Sequence, residues 1–270
     1  MTKRTSTKRK TREKLEYRLR IVEKRDKMLD HDFSAERAVL EEVFDQSTLM
    51  VIYDFMNRGT INEIHGVVKS GKESRVYWGI DKQGNERAIK VYLTVSAEFR
   101  KGLLRYIEGD QRFKGVRRDT RSLIFAWAMK EFRNLEQANA ARVRVPKPVA
   151  VKNNVLIMEF IGKNGVCAPS MKELPPENPE KIYETLLTYL RRLYLKAELV
   201  HGDLSEYNIM IWKSRPVLFD VSQAVPLSHP MADFLLHRDL TNLNKFFNRL
   251  GIKVPSTEEC YRMVTDHGKA

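Results

Sequence analysis

Apolar and polar residues alternate in the early part of the chain, which is the pattern of half-buried strands. Three such runs, His65 to Lys69, Arg75 to Ile80 and Arg87 to Tyr92, predict three strands. Their connections, Ser70-Gly-Lys-Glu73 and Asp81-Lys-Gln-Gly84, have the length and composition of hairpin turns. The pattern therefore predicts an antiparallel sheet.

Two further strands are predicted at Val149 to Lys152 and Val155 to Phe160, with Asn153-Asn154 as their turn. Pro146-Lys-Pro148 precedes them and favours extended backbone. The last strand runs into Ile161-Gly-Lys-Asn-Gly165, which we interpret as the hinge between two lobes.

Helical spacing of apolar residues predicts that the rest of the fold is mainly helical. One helix opens at a capping signal at Ser34. Further predicted helices are Thr48 to Asn57, Ser122 to Ala140, Glu180 to Lys196, Met231 to Leu250 and Ser256 to Val264. With strands and helices in separate stretches, the predicted fold class is α+β.

Residues 99–121 break this pattern. Phe99 to Arg121 holds eight Lys or Arg against three acids, with three glycines and no clean periodicity. We interpret the stretch as a flexible basic loop.

Charge is concentrated at the N-terminus. The chain has 48 Lys and Arg against 35 Asp and Glu, a net charge of +13, and residues 1–30 hold twelve of the basic residues against five acids. We interpret residues 1–33 as a basic tail. Such a tail can neutralise phosphates of RNA, or it can be a solvated segment with no partner.

Composition also excludes some classes of protein. No run of eighteen apolar residues occurs, so we expect no membrane partner. Cys167 and Cys260 are too far apart in sequence for a C-x-x-C metal pair and give no disulfide framework. Free thiols fit a reducing compartment, and we expect a cytoplasmic protein.

Candidate chemistry centres on His201-Gly-Asp-Leu-Ser-Glu-Tyr-Asn208, followed by an apolar run that ends at Asp220. Phosphotransferases place a base and two metal ligands with this spacing. We expect Asp203 to accept or orient a hydroxyl proton, and Asn208 and Asp220 to offer oxygen ligands to Mg²⁺. The motif predicts ATP-dependent phosphoryl transfer.

The predicted sheet supplies candidate residues for the ATP site. Lys90 lies among apolar strand residues, where an ammonium is costly unless it meets an anion such as a phosphate. We expect Glu131, on the following helix, to pair with it. An edge-strand lysine and a surface glutamate are the alternatives.

Two more stretches complete the predicted ATP site. The turn Ser70, Gly71, Lys72 can cover phosphates with backbone N–H groups, although a turn with one glycine is more often an ordinary hairpin. Glu159 and Ile161 can present backbone groups to an adenine edge. Met158 is then the back wall of the base pocket or a plain core residue.

These motifs resemble those of protein kinases, and more closely those of the RIO family of atypical kinases. The resemblance rests on Ser70-Gly-Lys-Glu73, Lys130-Glu-Phe-Arg-Asn-Leu135, His201-Gly-Asp-Leu-Ser-Glu-Tyr-Asn208 and Asp220-Val-Ser-Gln223. It implies a bilobal kinase-like fold with a small antiparallel N-lobe and a mainly helical C-lobe. The implied domains are residues 34–160, with the N-terminal helices and N-lobe, and residues 161–270, with the C-lobe.

Met56-Asn-Arg-Gly59 ahead of His65-Gly-Val-Val68 points to the first RIO subfamily. The second subfamily carries a winged-helix domain that is not seen here, so no DNA partner is expected. The resemblance implies ATP with Mg²⁺, or Mn²⁺, as cofactors, serine autophosphorylation, and a role with rRNA and proteins of a small-ribosomal-subunit precursor. We expect a monomer in isolation.

The resemblance also implies that Asp220 can form an aspartyl-phosphate in an ATPase cycle. Relatives carry their autophosphorylated serine in the loop that matches residues 99–121. Here Thr120 is the only serine or threonine inside that loop, with Ser96 and Ser122 flanking it, so the autophosphorylation site stays open.

About ten residues separate Asp220 from the next predicted helix, with no A-P-E segment. No conventional activation segment is therefore expected, which disfavours an ordinary peptide kinase. Two other functions remain open: a small-molecule kinase of the aminoglycoside or choline type, and an RNA-binding module gated by nucleotide without turnover.

Overall fold

The computed structural model describes residues 44–93 and 103–267. They fall into two compact units that divide between Asn62 and Glu63. The basic tail, the helix predicted to open at Ser34, and Ser96 lie outside the described residues. The predicted lobe boundary near residue 160 stays a prediction, since residues from Glu63 onward form one unit.

The first unit contains helix α1, Gln46–Asn57. The Asp45 side chain caps it by accepting the backbone N–H groups of Ser47 and Thr48 at 3.1 and 3.2 Å. Gly59, with φ +70°, lies just beyond its end. The predicted helix is confirmed, two residues longer at its start.

The second unit opens with a five-stranded antiparallel sheet in the order β1-β2-β3-β5-β4. The strands are β1 Glu63–Ser70, β2 Ser74–Ile80, β3 Glu86–Tyr92, β4 Pro148–Lys152 and β5 Val155–Glu159. All five follow the predicted runs. β3 lies at the centre and carries Lys90 between Val76 of β2 and Leu156 of β5.

Helix α2, Thr120–Ala140, packs beside this sheet. Asp119 caps its start by accepting the Ser122 N–H at 2.9 Å. Its buried face holds apolar residues such as Trp127, but also Lys130, Glu131 and Asn134. Buried polar groups require hydrogen-bond partners, so this helix also makes polar contacts with other parts of the fold.

The described part of the predicted flexible loop, residues 103–121, is not a loop without structure, and that interpretation was wrong. Residues 103–107 are helical and Gln111–Phe113 form a 3-10 turn. Tyr106 and Phe113 are buried, with ring centroids 6.3 and 6.1 Å from Trp127. The buried residues of this stretch are spaced too irregularly among basic residues to give the period of a helix or a strand. Sequence periodicity therefore missed them.

The C-terminal part is mainly helical, as predicted. Its elements are β6 Gly162–Lys163, β7 Val166–Cys167, α3 Pro179–Leu195, β8 Leu199–Val200, β9 Ile209–Trp212, β10 Arg215–Leu218, β11 Val225–Pro226, α4 Ala232–Arg249 and α5 Thr257–Thr265. The small β6-β7 hairpin occupies the predicted hinge. The described sheets are antiparallel and occur together with long helices, which confirms the α+β class.

In the described part of the chain, no helix combines the length and the hydropathy needed to cross a membrane.

We predict that Phe113→Ala lowers the free energy of unfolding by about 3 kcal/mol, because it removes a buried aromatic ring from the Trp127 cluster. Urea unfolding measures this. Leu104→Ala is the control from the same stretch, since Leu104 is exposed, and we expect a change within about 0.5 kcal/mol. Equal, small effects would mean that residues 103–118 do not pack as described.

Candidate active site

The β9-β10 hairpin brings the two predicted metal ligands to one place. Its last ladder pair is Ile209 with Leu218, and Phe219 N–H donates to Asn208 O at 3.1 Å just beyond it. Asn208 and Asp220 therefore lie at the same end of the hairpin.

Asn208 also fixes Asp203. Its Nδ2 donates to the backbone oxygen of Asp203 at 2.9 Å and to Asp203 Oδ2 at 3.0 Å. With Nδ2 used in this way, the amide oxygen of Asn208 is directed away from Asp203. Burial, and then the charge of Asp220, raises the pKa of Asp203, which moves this carboxylate toward the range of a useful base.

The loop from His201 to Asn208 is braced by a residue that sequence reasoning missed. Asp239, buried on α4, accepts the N–H groups of Gly202 and Leu204 at 2.7 and 2.8 Å. Gly202 has φ +75°, and a Cβ there would lie 2.9 Å from Gln223 O, so the turn requires glycine. An acid on a predicted helix gives no sequence signal of such a role.

Lys90 is a buried charge of the site, with 5% of the residue exposed. Its Nζ lies 2.8 Å from Glu131 Oε1 and 2.9 Å from Asp220 Oδ1. The hydroxyl of Tyr92 donates to the other oxygen of Glu131. Burial alone would lower the pKa of Lys90, but the carboxylates of Asp220 and Glu131 raise it well above its usual value. The predicted pair of Lys90 with Glu131 is present.

Asp220 adopts a left-handed backbone conformation, φ +58° and ψ +61°. Its Oδ1 accepts from Lys90 and from the Ser222 hydroxyl at 2.8 Å, while the side chain keeps 40% exposure. Burial would raise its pKa, but the Lys90 ammonium lowers it to about 2. Asp220 is therefore ionised at neutral pH.

A cavity of about 300 Å³ lies beside these groups. Among the predicted ATP-binding residues, its wall includes Gly71, Lys72, Lys90 and Met158, together with Asp220. Glu131 lies behind Lys90, which it contacts. The cavity joins the predicted phosphate-covering turn to the predicted metal ligand.

Ser70, Glu159 and Ile161 are not part of this wall. The Glu159 carboxylate is bound by Arg144 at 2.6 and 2.7 Å, and Ile161 O accepts from Ala168 N–H at 2.9 Å. An adenine contact through Glu159 C=O and Ile161 N–H stays a prediction.

Known proteins resemble this chain over most of its length. The RIO domain model matches residues 75–260. A RIO-type serine/threonine-protein kinase Rio1 of Haloferax volcanii is 40% identical over 232 residues, covering 86% of this chain and 79% of the relative. Its counterpart in Methanocaldococcus jannaschii is 38% identical, covering 93% and 83%.

The chain belongs to the RIO family.

Among RIO proteins of other organisms, the human serine/threonine-protein kinase RIO1 is 38% identical over 236 residues, which are 86% of this chain and 41% of the human protein. The chain thus spans less than half of that relative. The Rio2 kinase of Chaetomium thermophilum has a solved structure with a TM-score of 0.62 and 21% identity, covering 82% of this chain and 69% of that one. This likeness shows the fold alone.

A magnesium ion fits the residues of this RIO site. In the described residues Asp220 Oδ2 and the Asn208 amide oxygen have no hydrogen-bond partner, and both are hard oxygen donors. No group of three His, Cys, Asp or Glu suited to a metal occurs among the described residues. A site with two protein ligands suits Mg²⁺ carried in with nucleotide phosphates.

Sequence reasoning missed one cation of the cavity. Lys69, at the end of β1, lines the cavity and holds its Nζ 4.3 Å from the centroid of the Phe219 ring. Burial lowers its pKa, partly offset by the charge of Asp220. With Lys72 and Lys90 it makes three ammonium groups around one cavity, which suits a polyanion.

His201, the first residue of the loop from His201 to Asn208, is fully buried. Burial lowers its pKa to about 4, so the imidazole is neutral at pH 7. Asp203 stays the predicted proton acceptor of this loop.

We predict that Glu131→Gln lowers the free energy of unfolding by about 3 kcal/mol, because it removes one carboxylate partner of a buried ammonium. Lys90→Met should also lower the free energy of unfolding, because it leaves the buried Glu131 carboxylate without its ammonium partner. The double variant should lose less than the two single losses combined. Chemical unfolding of all three measures the coupling, with Glu136→Gln on the exposed face of α2 as control. Additive losses would show that the two charges do not interact.

Proposed function

We propose that this RIO-family protein is an ATP- and Mg²⁺-dependent serine/threonine kinase that transfers the γ-phosphoryl group of ATP. One observation carries the proposal: the Lys90 ammonium joins Glu131 and Asp220 at the wall of a lysine-lined cavity. This is the arrangement by which kinases hold a phosphate-binding lysine next to a metal-binding carboxylate.

Each residue then has a defined task. Lys90, Lys69 and Lys72 neutralise the triphosphate, and Asn208 and Asp220 hold Mg²⁺. Bound Mg²⁺ would offset the negative charge that develops on the phosphates. Asp203, with its raised pKa, orients the attacking hydroxyl and accepts its proton.

A second outcome of the same chemistry is transfer to Asp220 itself. The Asp220 carboxylate is ionised and one of its oxygens is unoccupied by protein groups in the described residues. That oxygen would attack the γ-phosphorus, ADP would leave, and water would later cleave the acyl-phosphate to give inorganic phosphate and free Asp220. One solved Rio2 kinase structure from Chaetomium thermophilum, 22% identical, is described as an ADP/Mg²⁺-phosphoaspartate complex.

The other two candidate functions are less well supported. A small-molecule kinase needs a substrate pocket, whereas the connection between Asp220 and α4 holds only a 3-10 turn and a two-residue strand. A binding module without turnover does not need Asp203, Asn208 and Asp220 all in place.

Incubation with γ-labelled ATP and Mg²⁺ distinguishes the outcomes. We expect wild type to take up label, and Asp203→Asn and Asp220→Asn to lose it, with an acid-stable label if the acceptor is a hydroxyl. A label that hydroxylamine removes, absent only from Asp220→Asn, would indicate the aspartyl-phosphate and an ATPase cycle. If wild type takes up no label and forms no ADP, the proposed kinase activity is wrong, and the RNA-binding module without turnover is favoured.

We further propose that the partner is the precursor of the small ribosomal subunit in the cytoplasm, contacted through rRNA. The net charge of +13 supports it, as do the exposed Lys114, Arg117 and Arg118 ahead of α2. Phosphate contacts of this kind release counterions and make binding dependent on salt.

We predict that replacing Lys114, Arg117 and Arg118 by Gln weakens rRNA binding and reduces the slope of log K against log salt by about 0.7 to 0.9 for each phosphate that is no longer neutralised. Fluorescence anisotropy over a salt series measures both. A matched control removes three exposed lysines elsewhere, Lys82, Lys181 and Lys245. If both triple variants weaken rRNA binding equally, net charge alone explains the effect. The surface formed by Lys114, Arg117 and Arg118 would then not be a specific rRNA contact.

A further inference from the structure

The residues that follow Asp220 form a turn, residues 221–224, whose carbonyl groups are held by buried side chains. Lys130 Nζ donates to Ser222 O at 2.9 Å. Asn134 Nδ2 donates to Val221 O at 2.8 Å and to Ala224 O at 3.2 Å. Lys130 and Asn134 are at most 1% exposed. Three carbonyls of the 221–224 turn therefore accept hydrogen bonds from side chains of α2.

Arg112 completes this network from the stretch ahead of α2. Its Nη1 donates to Asn134 Oδ1 at 2.6 Å, and its Nη2 lies 3.4 Å from Ala224 O. Asp110, whose side chain has no exposure, holds the guanidinium by two parallel contacts, 2.8 Å to Nε and 2.6 Å to Nη2. A bidentate pair fixes orientation as well as position. Arg112 thereby orients the Asn134 amide, and this amide donates hydrogen bonds to the 221–224 turn.

Asp220 needs such support. Its left-handed backbone is one that residues with a side chain rarely adopt, and it persists only where the surroundings fix it. Lys90 and Ser222 hold its carboxylate, and Ser222 belongs to the 221–224 turn, so the support of this turn bears directly on Asp220. Only the 221–224 turn and a few further residues lie between Asp220 and α4. The carbonyl contacts from Lys130, Asn134 and Arg112 supply the fixed backbone.

The stretch that bears Arg112 is also packed against the chain beyond the turn. A Cβ at Gly109, where φ is +95°, would lie 2.6 Å from Pro230 Cδ and 3.6 Å from the His229 ring. Residues 109–112 thus contact the connection from Asp220 to α4 at two points, near residue 224 and near residue 230.

We propose that Arg112 is a positioning residue for Asp220. Through Asn134 and the 221–224 turn it sets the direction of the carboxylate that holds Mg²⁺, which gives residues 103–118 the supporting task that an activation segment has in other kinases. This inference rests on the proposed function, because it presumes that Asp220 binds the metal. Residues that orient a metal ligand typically change metal affinity about 10- to 100-fold when replaced.

The test compares ADP binding with and without Mg²⁺ by calorimetry, on the whole chain. In wild type, Mg²⁺ should tighten ADP binding. In Arg112→Met this enhancement should fall about tenfold or more, while metal-free ADP affinity stays unchanged, since Arg112 does not line the cavity. Arg112→Lys should fall in between, because a lysine keeps the charge beside Asp110 but cannot make the two-point contact.

Arg117→Met is the matched control, since Arg117 is an exposed arginine of the same stretch, and it should bind as wild type does. Thermal unfolding checks each fold, and Arg112→Lys carries the test if Arg112→Met does not fold. An unchanged enhancement in a folded Arg112 variant would overturn the positioning role, as would equal loss of metal-free and metal-dependent affinity. Absence of any Mg²⁺ effect in wild type would instead overturn the proposed function, and the role with it.

Discussion

The structure depends on the burial of one ammonium group. Lys90 sits in the central strand of the sheet, where a charge without partners would be strongly unfavourable. Its two carboxylate partners come from different parts of the fold, Glu131 from α2 and Asp220 from the connection after β10. Sheet, helix and C-terminal region must therefore meet at this point. The same constraint leaves Lys90 and Asp220 side by side at a cavity.

Helix α2 has two tasks at this centre, and neighbouring residues perform them. Glu131 contacts the lysine, whereas Lys130 and Asn134 contact the backbone after Asp220. A shift of this helix would disturb Lys90 and Asp220 together. The coupling offers a physical reason why a fold with so short a connection after Asp220 can hold its site without an activation segment.

Sequence reasoning selected candidate site residues by their type and spacing, but it missed residues that brace the loops around them. Asp203, Asn208 and Asp220 follow from a motif with fixed spacing on one loop and hairpin. Asp239 and Arg112 have no such signal, because an acid on a helix or an arginine in a basic stretch is usually a surface residue. What distinguishes them is burial against backbone groups far away in sequence.

By itself the sequence determined the five strands of the main sheet, the helices α1 to α5, the α+β class and the candidate chemical groups, because short-range periodicity and motif spacing encode these locally. Tertiary structure alone decided how residues 103–118 pack, which predicted residues line the cavity, and which side chains brace the loops. Glu159 illustrates the difference: its strand was predictable, but its carboxylate is bound by Arg144. Contacts between distant residues depend on the packing of whole elements, and no local pattern records them.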